Sequence, residues 1–296
     1  YGRGGVNLAL PGILAEGHRS ARRQLILAHE IRAPLSPWPH RLAYALAHRW
    51  MWRGIRPHAD AIGISTAGWL HSCRAEDPRA DVYFLAPSPN NLPIAETTPS
   101  HAPDWRAAHQ LGSSRLVLGF FGSTGGGKQF DWVLEAWRRV SAREPSCALV
   151  VIGGGREIRL PPREAARFRP LGYLPAPDAS RALQAIDILL LPFLDGVSER
   201  RSSFMAALAH GTPLVTRLGL GIGEELCVSA GLHFRAADDA GGSSSFAAVA
   251  LQAAQDLETS RIMARRGRRQ YHEHYDWPRL AARIQQRLSA LESPPP

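Results

Sequence analysis

The sequence predicts an α/β protein built on doubly wound parallel sheets in two domains, and three observations carry that prediction. Runs such as Ile188–Leu191 and Ala148–Ile152 are apolar at every position and too short for ordinary helices, which fits strands covered on both faces. Helix-periodic segments separate these runs in regular alternation, the order expected of a parallel sheet with helical crossovers. A length of 296 residues with 45% apolar content leaves room for two α/β domains with sizeable cores.

Taken in order, the chain opens with the Gly-rich YGRGG and an apolar stretch interrupted by Pro11. Gln24 to Ala28 reads as a short strand, which puts His29 and Glu30 just past its carboxyl end. The segment Pro39 to Pro57 interleaves basic residues with Leu42, Tyr44, Leu46, Trp50, Met51 and Trp52 at helical spacing. It suits a helix lying on a membrane surface, but a core-packed helix with arginine on its wet side explains the same letters and is preferred. Ala59 to Ser65 and Asp81 to Leu85 read as strands flanking a helix over Gly68 to Arg74. Ala86 to Pro103 is rich in Pro, Ser, Thr and Asn, so the domain boundary and hinge are expected there: a first domain over 1–103, a second over 104–275, and a terminal helix and tail over 276–296.

The second half alternates more cleanly. Arg115 to Phe121 is a strand and GSTGGGK, residues 122–128, a loop. Asp131 opens a helix with Val133, Ala136, Trp137 and Val140 on one face. Ala148 to Ile152 and Leu171 to Leu174 are further strands, and Asp178 is expected to cap the helix before Ile188 to Leu191. Beyond that run the chain turns at Asp195 and Gly196. Ser198 or Ser202 is expected to cap a helix through Phe204, Met205 and Leu208, ended by Gly211, before a strand at Leu214 to Thr216. Helices over 244–257, 260–272 and 278–291 close the chain.

Two loops attract attention because ligands of open α/β sheets bind beyond the carboxyl ends of strands, where helices begin with free N–H groups. The first carries Lys128, the only lysine among the 35 Lys and Arg residues. With Gly122 and Gly127 it satisfies most of the phosphate-binding pattern GxxxxGK[ST], but Gln129 replaces the magnesium-holding Ser or Thr. In the second, Ser202, Ser203 and adjacent amides suit a phosphate, with Arg200 or Arg201 as the planar cation. Serines that merely cap a helix and arginines that are merely solvated remain an open alternative. Both loops follow strands of one sheet, so they are expected to meet as a cationic cradle for a diphosphate.

At this point the chain resembles the family 4 glycosyltransferases of the GT-B fold, in which two Rossmann-like domains face each other and the second carries the nucleotide-sugar. FFGSTGGGKQFDWVLEAW, LGYLPAPDASRALQAIDILLLPF and DGVSERRSSFMAALAHGTPLVT are similar to the family's donor segments, YDWPRLAARIQQRL to its final helix crossing back, and ILAHE to a strand-end His motif. The resemblance implies donor contacts from Gly122, Ser123 and Lys128, and a base lying against the backbone near Tyr173 and Leu174. It further implies donor contacts among Gly196, Val197, Ser198, Glu199, Arg200, Arg201, Ser202 and Ser203. His29, Lys128 and Arg201 are the catalytic candidates. Ser198 and Ala206 stand where many members carry two glutamates eight apart, and Glu199 is one residue off that register. The family's first strand and its Gly-rich loop are not found, so the first domain is expected to be partial.

The implied activity is transfer of a sugar from a nucleoside diphosphate sugar to a hydroxyl acceptor, a glycan, lipid or small molecule, with no metal or cofactor. The alternatives are a P-loop nucleoside triphosphatase using GSTGGGK and a noncatalytic nucleotide-sugar-binding relic. A formal charge of +9 favours anionic partners. The Arg261 to Arg269 cluster reads as a solvated helix face, and no nucleic acid is expected. Cys73, Cys147 and Cys227 lack the spacing of a disulfide framework or zinc site, which points to a reducing compartment. No run reaches the roughly eighteen apolar residues of a membrane span. A cytoplasmic location is expected, with possible peripheral contact on the inner face of the membrane. Residue 1 is tyrosine, so no targeting signal is read from that end.

Overall fold

The computed structural model describes residues 6–20, 23–98, 100–155, 157–219, 235–237 and 241–292. YGRGG and Cys227 lie outside them. The chain divides into two compact units, Tyr1–Ser88 with Pro278–Pro296, and Pro89–Trp277.

The first unit runs α1 (Leu10–Ser20), β1 (Leu25–Ala28), α2 (Pro39–Ile55), β2 (Ala61–Ile64), α3 (Ala67–Glu76) and β3 (Tyr83–Leu85), and its strands form a parallel sheet in the order β1-β2-β3. Pro11 does not interrupt its apolar stretch: it sits in the first turn of α1, where a missing N–H costs nothing. Thr66 caps α3 by accepting from the Trp69 amide at 3.3 Å. Ile62 and Ile64 of β2, Tyr83 of β3, and Met51, Trp52 and Ile55 of α2 form the core. Burial raises the Tyr83 phenol well above its ordinary value, and the 2.6 Å bond it donates to the Asp77 carboxylate acts in the same direction. The C-terminal helix Trp277–Glu292 belongs to this unit from Pro278 on, with Arg287 donating to the Asp81 carbonyl at 3.3 Å and stacking over Phe84.

On α2 the preferred reading holds only in part. Ala45, Met51, Trp52 and Ile55 are buried, yet Leu42, Leu46 and Trp50 are exposed alongside the arginines.

The second unit runs α4 (His101–Ala108), β4 (Val117–Phe121), α5 (Phe130–Ser141), β5 (Ala148–Ile152), α6 (Pro162–Ala165), β6 (Phe168–Gly172), α7 (Ala176–Ala185), β7 (Ile188–Leu191), α8 (Ser202–His210), β8 (Leu214–Arg217), β9 (Arg235–Ala237), α9 (Gly242–Gln255) and α10 (Leu257–His274). Its six strands are parallel in the order β6-β5-β4-β7-β8-β9, with β4 and β7 buried at the centre. From β4 the strand order proceeds one way to β5 and the other way to β7, so the crevice between the loops after β4 and β7 is the topological switch point. The sheet is covered on both faces. One cluster carries Val133, Ala136, Trp137 and Val140 of α5, the other Phe204, Met205 and Leu208 of α8.

Three expectations are displaced. The units divide between Ser88 and Pro89 instead of at residue 103, because the Pro-rich run is strapped to the second unit. The Asn90 amide donates to Tyr271 Oη at 3.0 Å, the Ala95 amide to Ser180 Oγ at 2.8 Å, and Gln184 Nε2 to the Ala95 carbonyl at 3.0 Å. Asp178 sits in the first turn of α7, paired with Arg181 at 2.9 Å, while Pro175 holds the cap position. Arg201, with no side-chain cap bond, stands where Ser198 or Ser202 was expected at the start of α8. Gly211 ends that helix in the left-handed region as predicted.

Candidate functional site at the carboxyl edge of the second sheet

The loop after β4 turns sharply at Gly122, whose φ of +124° favours glycine and where a Cβ would overlap the Lys128 ammonium. The Gly122 amide is spent on the Ile152 carbonyl at 2.8 Å, and the Thr124 amide on that of Gly154 at 3.1 Å, so this loop is stitched to the glycines after β5. On its other side it is zipped to the loop after β7. Lys128 and Phe193 form an antiparallel bridge, with the Leu194 amide on the Gly127 carbonyl at 2.9 Å and the Gln129 amide on that of Pro192 at 2.8 Å. Two turns about seventy residues apart in the chain thus become one surface.

The zipper places two cations against one ring. Lys128 Nζ lies 5.3 Å from the centre of Phe193 and 5.5 Å from that of Phe120, and donates to the Phe121 carbonyl at 2.8 Å. The Arg201 guanidinium lies 5.2 Å from the same Phe193 ring. Burial, and secondarily the charge of Arg201, pull the Lys128 pKa down to about 8. Asp195 pairs with Arg201 and, at 2.7 Å, with Arg200, but no ion pair of Lys128 with a carboxylate is found among the described residues. The uncapped N-terminus of α8, at Ser202 and Ser203, adds backbone N–H groups beside the two cations. An electrostatically strained pair of cations next to a helix N-terminus is a site that an anion relaxes.

The remaining residues read from the sequence fall on the same edge or in the other unit. Gly196, Val197, Ser198, Glu199 and Ser203 are buried in the β7 loop and the start of α8, Ser202 is exposed, and Ser123 is exposed in the β4 loop. A Cβ at Gly196 would collide with the backbone of Leu218 and Gly219, so the loop turns against the strand-end of β8. Tyr173 is 90% exposed past β6, and the Gly172 carbonyl before it accepts the Gly153 amide at 2.7 Å. His29 stands beyond β1 in the first unit, with Nδ1 3.1 Å from Ser88 Oγ and its carbonyl accepting from Ser65 Oγ at 2.6 Å. The arginines at 261, 265, 266, 268 and 269 are exposed on α10, with Ala264 and Gly267 buried between them.

Two residues escaped the sequence reading. Arg217, at the end of β8, is buried over the Trp132 ring at 4.6 Å and donates from Nη1 to the carbonyls of Phe193 and Leu194, both at 3.0 Å, which holds the β7 loop against the zipper. Thr124 is buried with no hydrogen-bond partner for its hydroxyl among the described residues, against Gly155. Position after a predicted strand was the available signal for Arg217. Nothing local marked Thr124.

Comparison with known proteins bears on this site. Residues 115–256 match the family described as Glycosyl transferases group 1. No curated protein matches the chain. Among solved structures, Anabaena Alr3699/HepE in complex with UDP is similar with a TM-score of 0.73 at 15% identity, over 95% of this chain and 77% of that one. Sucrose-phosphate synthase from Thermosynechococcus elongatus gives 0.65 at 16% over 90% and 67%, and WaaG, a glycosyltransferase involved in lipopolysaccharide biosynthesis, 0.62 at 16% over 90% and 78%. At such identities the structural likeness speaks to fold, two Rossmann-like domains of GT-B type, whereas the family match falls on the strands and loops that build the zipped edge. Residues 115–256 of the second unit thus match the group 1 glycosyl transferases, on a fold shared with solved GT-B glycosyltransferases.

Proposed function

We propose that the protein transfers a sugar from a nucleoside diphosphate sugar to a hydroxyl acceptor, and that the zipped edge of the second unit seats the diphosphate. The observation that supports this reading is the sharing of the Phe193 ring by Lys128 and Arg201, two like charges of which Arg201 is paired with Asp195 while no carboxylate pairs with Lys128 among the described residues. As the glycosidic bond breaks, negative charge grows on the diphosphate leaving group. Lys128, Arg201 and the first amides of α8 stabilise that charge more than they stabilise the intact donor, which lowers the barrier. These groups take the place of a metal ion in the proposed mechanism. Gly122 and Ser123 would lie along the phosphates and Tyr173 and Leu174 along the base, with Gly196 to Ser203 enclosing the donor. His29 is assigned to the acceptor side on its position at a strand end. HepE has been crystallised with UDP and with UDP-glucose, so uridine donors are the first to try. A cytoplasmic location is part of the proposal, consistent with the two buried free cysteines, Cys73 and Cys147.

The test is thermal stabilisation and turnover in the presence of a chelator. A nucleoside diphosphate should raise the melting temperature more than its monophosphate does, and a matching sugar nucleotide plus acceptor should release nucleoside diphosphate. Magnesium-dependent release of phosphate from ATP or GTP, without response to any sugar nucleotide, would overturn the reading in favour of a P-loop hydrolase.

A further inference from the structure

The turn that leads from β7 into α8 carries its own anion. Asp195, just past Phe193, sets Oδ1 on the Arg201 guanidinium and Oδ2 on that of Arg200 at 2.7 Å, so one carboxylate bridges both arginines. The arginines are the enclosed partners, with side chains 14% and 22% exposed, whereas the side chain of Asp195 is 52% exposed. Arg201 in turn shares the Phe193 ring with Lys128. The cations of this edge are thus partly neutralised by a group that stands in water.

Backbone and side chain differ in freedom at this turn. Gly196 has a φ of +78°, and a Cβ there would meet the backbone of Leu218 and Gly219; a Cβ on Gly219 would in turn lie 2.5 Å from the Asp195 carbonyl. The main chain is therefore fixed by packing, and the carboxylate needs only a side-chain rotation to leave. Ion pairs made by an exposed partner are weak, so the departure costs little. Being tethered, the same carboxylate is always at hand to return, at the high effective concentration of an intramolecular group.

We propose that Asp195 is a displaceable stand-in for the donor's phosphates, occupying Arg200 and Arg201 while the site is empty and reclaiming them as nucleoside diphosphate departs. The inference rests on the reading that this edge seats a diphosphate. A carboxylate brings one charge and two oxygens. A diphosphate brings more of both, and can engage Lys128 and the first amides of α8 along with the arginines, so it wins the competition that a weaker anion loses. On the way out the balance reverses in part: each contact that loosens is taken by the tethered carboxylate, which shortens the stay of the product. A carboxylate that merely held the arginines in position for the ligand would act in the opposite direction, strengthening binding where a competitor weakens it.

The experiment is calorimetric titration of the whole chain with UDP, without acceptor, for the parent, Asp195→Asn and Asp195→Glu, together with the rate at which UDP dissociates. Asp195→Asn should bind UDP roughly five- to tenfold tighter, the size expected for two exposed ion pairs removed from the competition, and should release it more slowly by a similar factor. Asp195→Glu keeps the charge and should stay near the parent. Equal or weaker UDP binding by Asp195→Asn would overturn the inference, as would Asp195→Glu binding as tightly as Asp195→Asn. In either case UDP binding by the parent leaves the transfer reading standing. Absence of UDP binding in all three proteins would remove the donor reading, and this inference with it.

Discussion

The two edges of the second sheet treat enclosed charge in opposite ways. At the amino edge, Asp187 precedes β7 and is buried, but every demand of its carboxylate is met: the Val117 amide and Arg106 at 2.9 Å each, and Arg261 at 3.4 Å. At the carboxyl edge, Lys128 is enclosed against two phenylalanine rings and one carbonyl, with Arg201 as a like-charged neighbour. A charge whose partners are all in place contributes to the fold; one whose charged neighbour among the described residues repels it is the kind that a bound anion would relax.

The contrast breaks most visibly if Asp187 is removed. Asp187→Ala strands two arginines and an amide, and should cost about 3–5 kcal/mol in urea unfolding while leaving nucleoside diphosphate affinity unchanged in the folded fraction. Lys128→Ala should do the reverse, lowering kcat by roughly a hundred- to a thousandfold with no loss of stability. A destabilised Lys128→Ala enzyme with intact kcat would erase the difference between the edges.

The pH dependence sharpens the same point. The Lys128 pKa of about 8 in the folded chain lies below its ordinary 10.5, so between those values the unfolded chain holds a proton that the native one has released. This residue's penalty on stability is therefore full below pH 8 and lifts as pH climbs toward 10.5; Lys128→Met should remove that rise. Donor affinity should fall as pH passes 8, because the ammonium is what the diphosphate needs. Next in size, Arg217→Met releases the Phe193 and Leu194 carbonyls, and should raise the donor KM about tenfold, near 1.4 kcal/mol, with a smaller change in kcat. The smallest effect is expected at Ser202. With no cap bond to lose, Ser202→Ala should change stability by less than about 0.5 kcal/mol, where a capping serine would cost about 1.

Much of the second unit was legible because its signals are local. Ile188–Leu191 and Ala148–Ile152 are strands with the ends read from their apolar runs, and Gly211 stops α8 through a conformation that glycine adopts without strain. Caps were less legible. Ser, Thr and Asp are good caps wherever the backbone offers an amide, and Thr66 found one while Ser202 did not. The segment at 90–97 was misassigned for a related reason: Pro, Asn and Thr look like a linker until Ser180, Gln184 and Tyr271 supply partners from distant helices.

By itself, then, the sequence determined the alternation of strands and helices, the two loops that follow β4 and β7, and the presence of one lysine in the first of those loops. Tertiary structure alone decided that those loops zip together through residues 127–129 and 192–194, so that Lys128 and Arg201 meet over Phe193. It also decided that Trp52 is core while Trp50, two residues away, faces out. The reason is the range of the forces involved. Backbone preference and periodicity act over a few residues, whereas strand order and the choice of which helix face is covered depend on contacts between segments far apart in the chain.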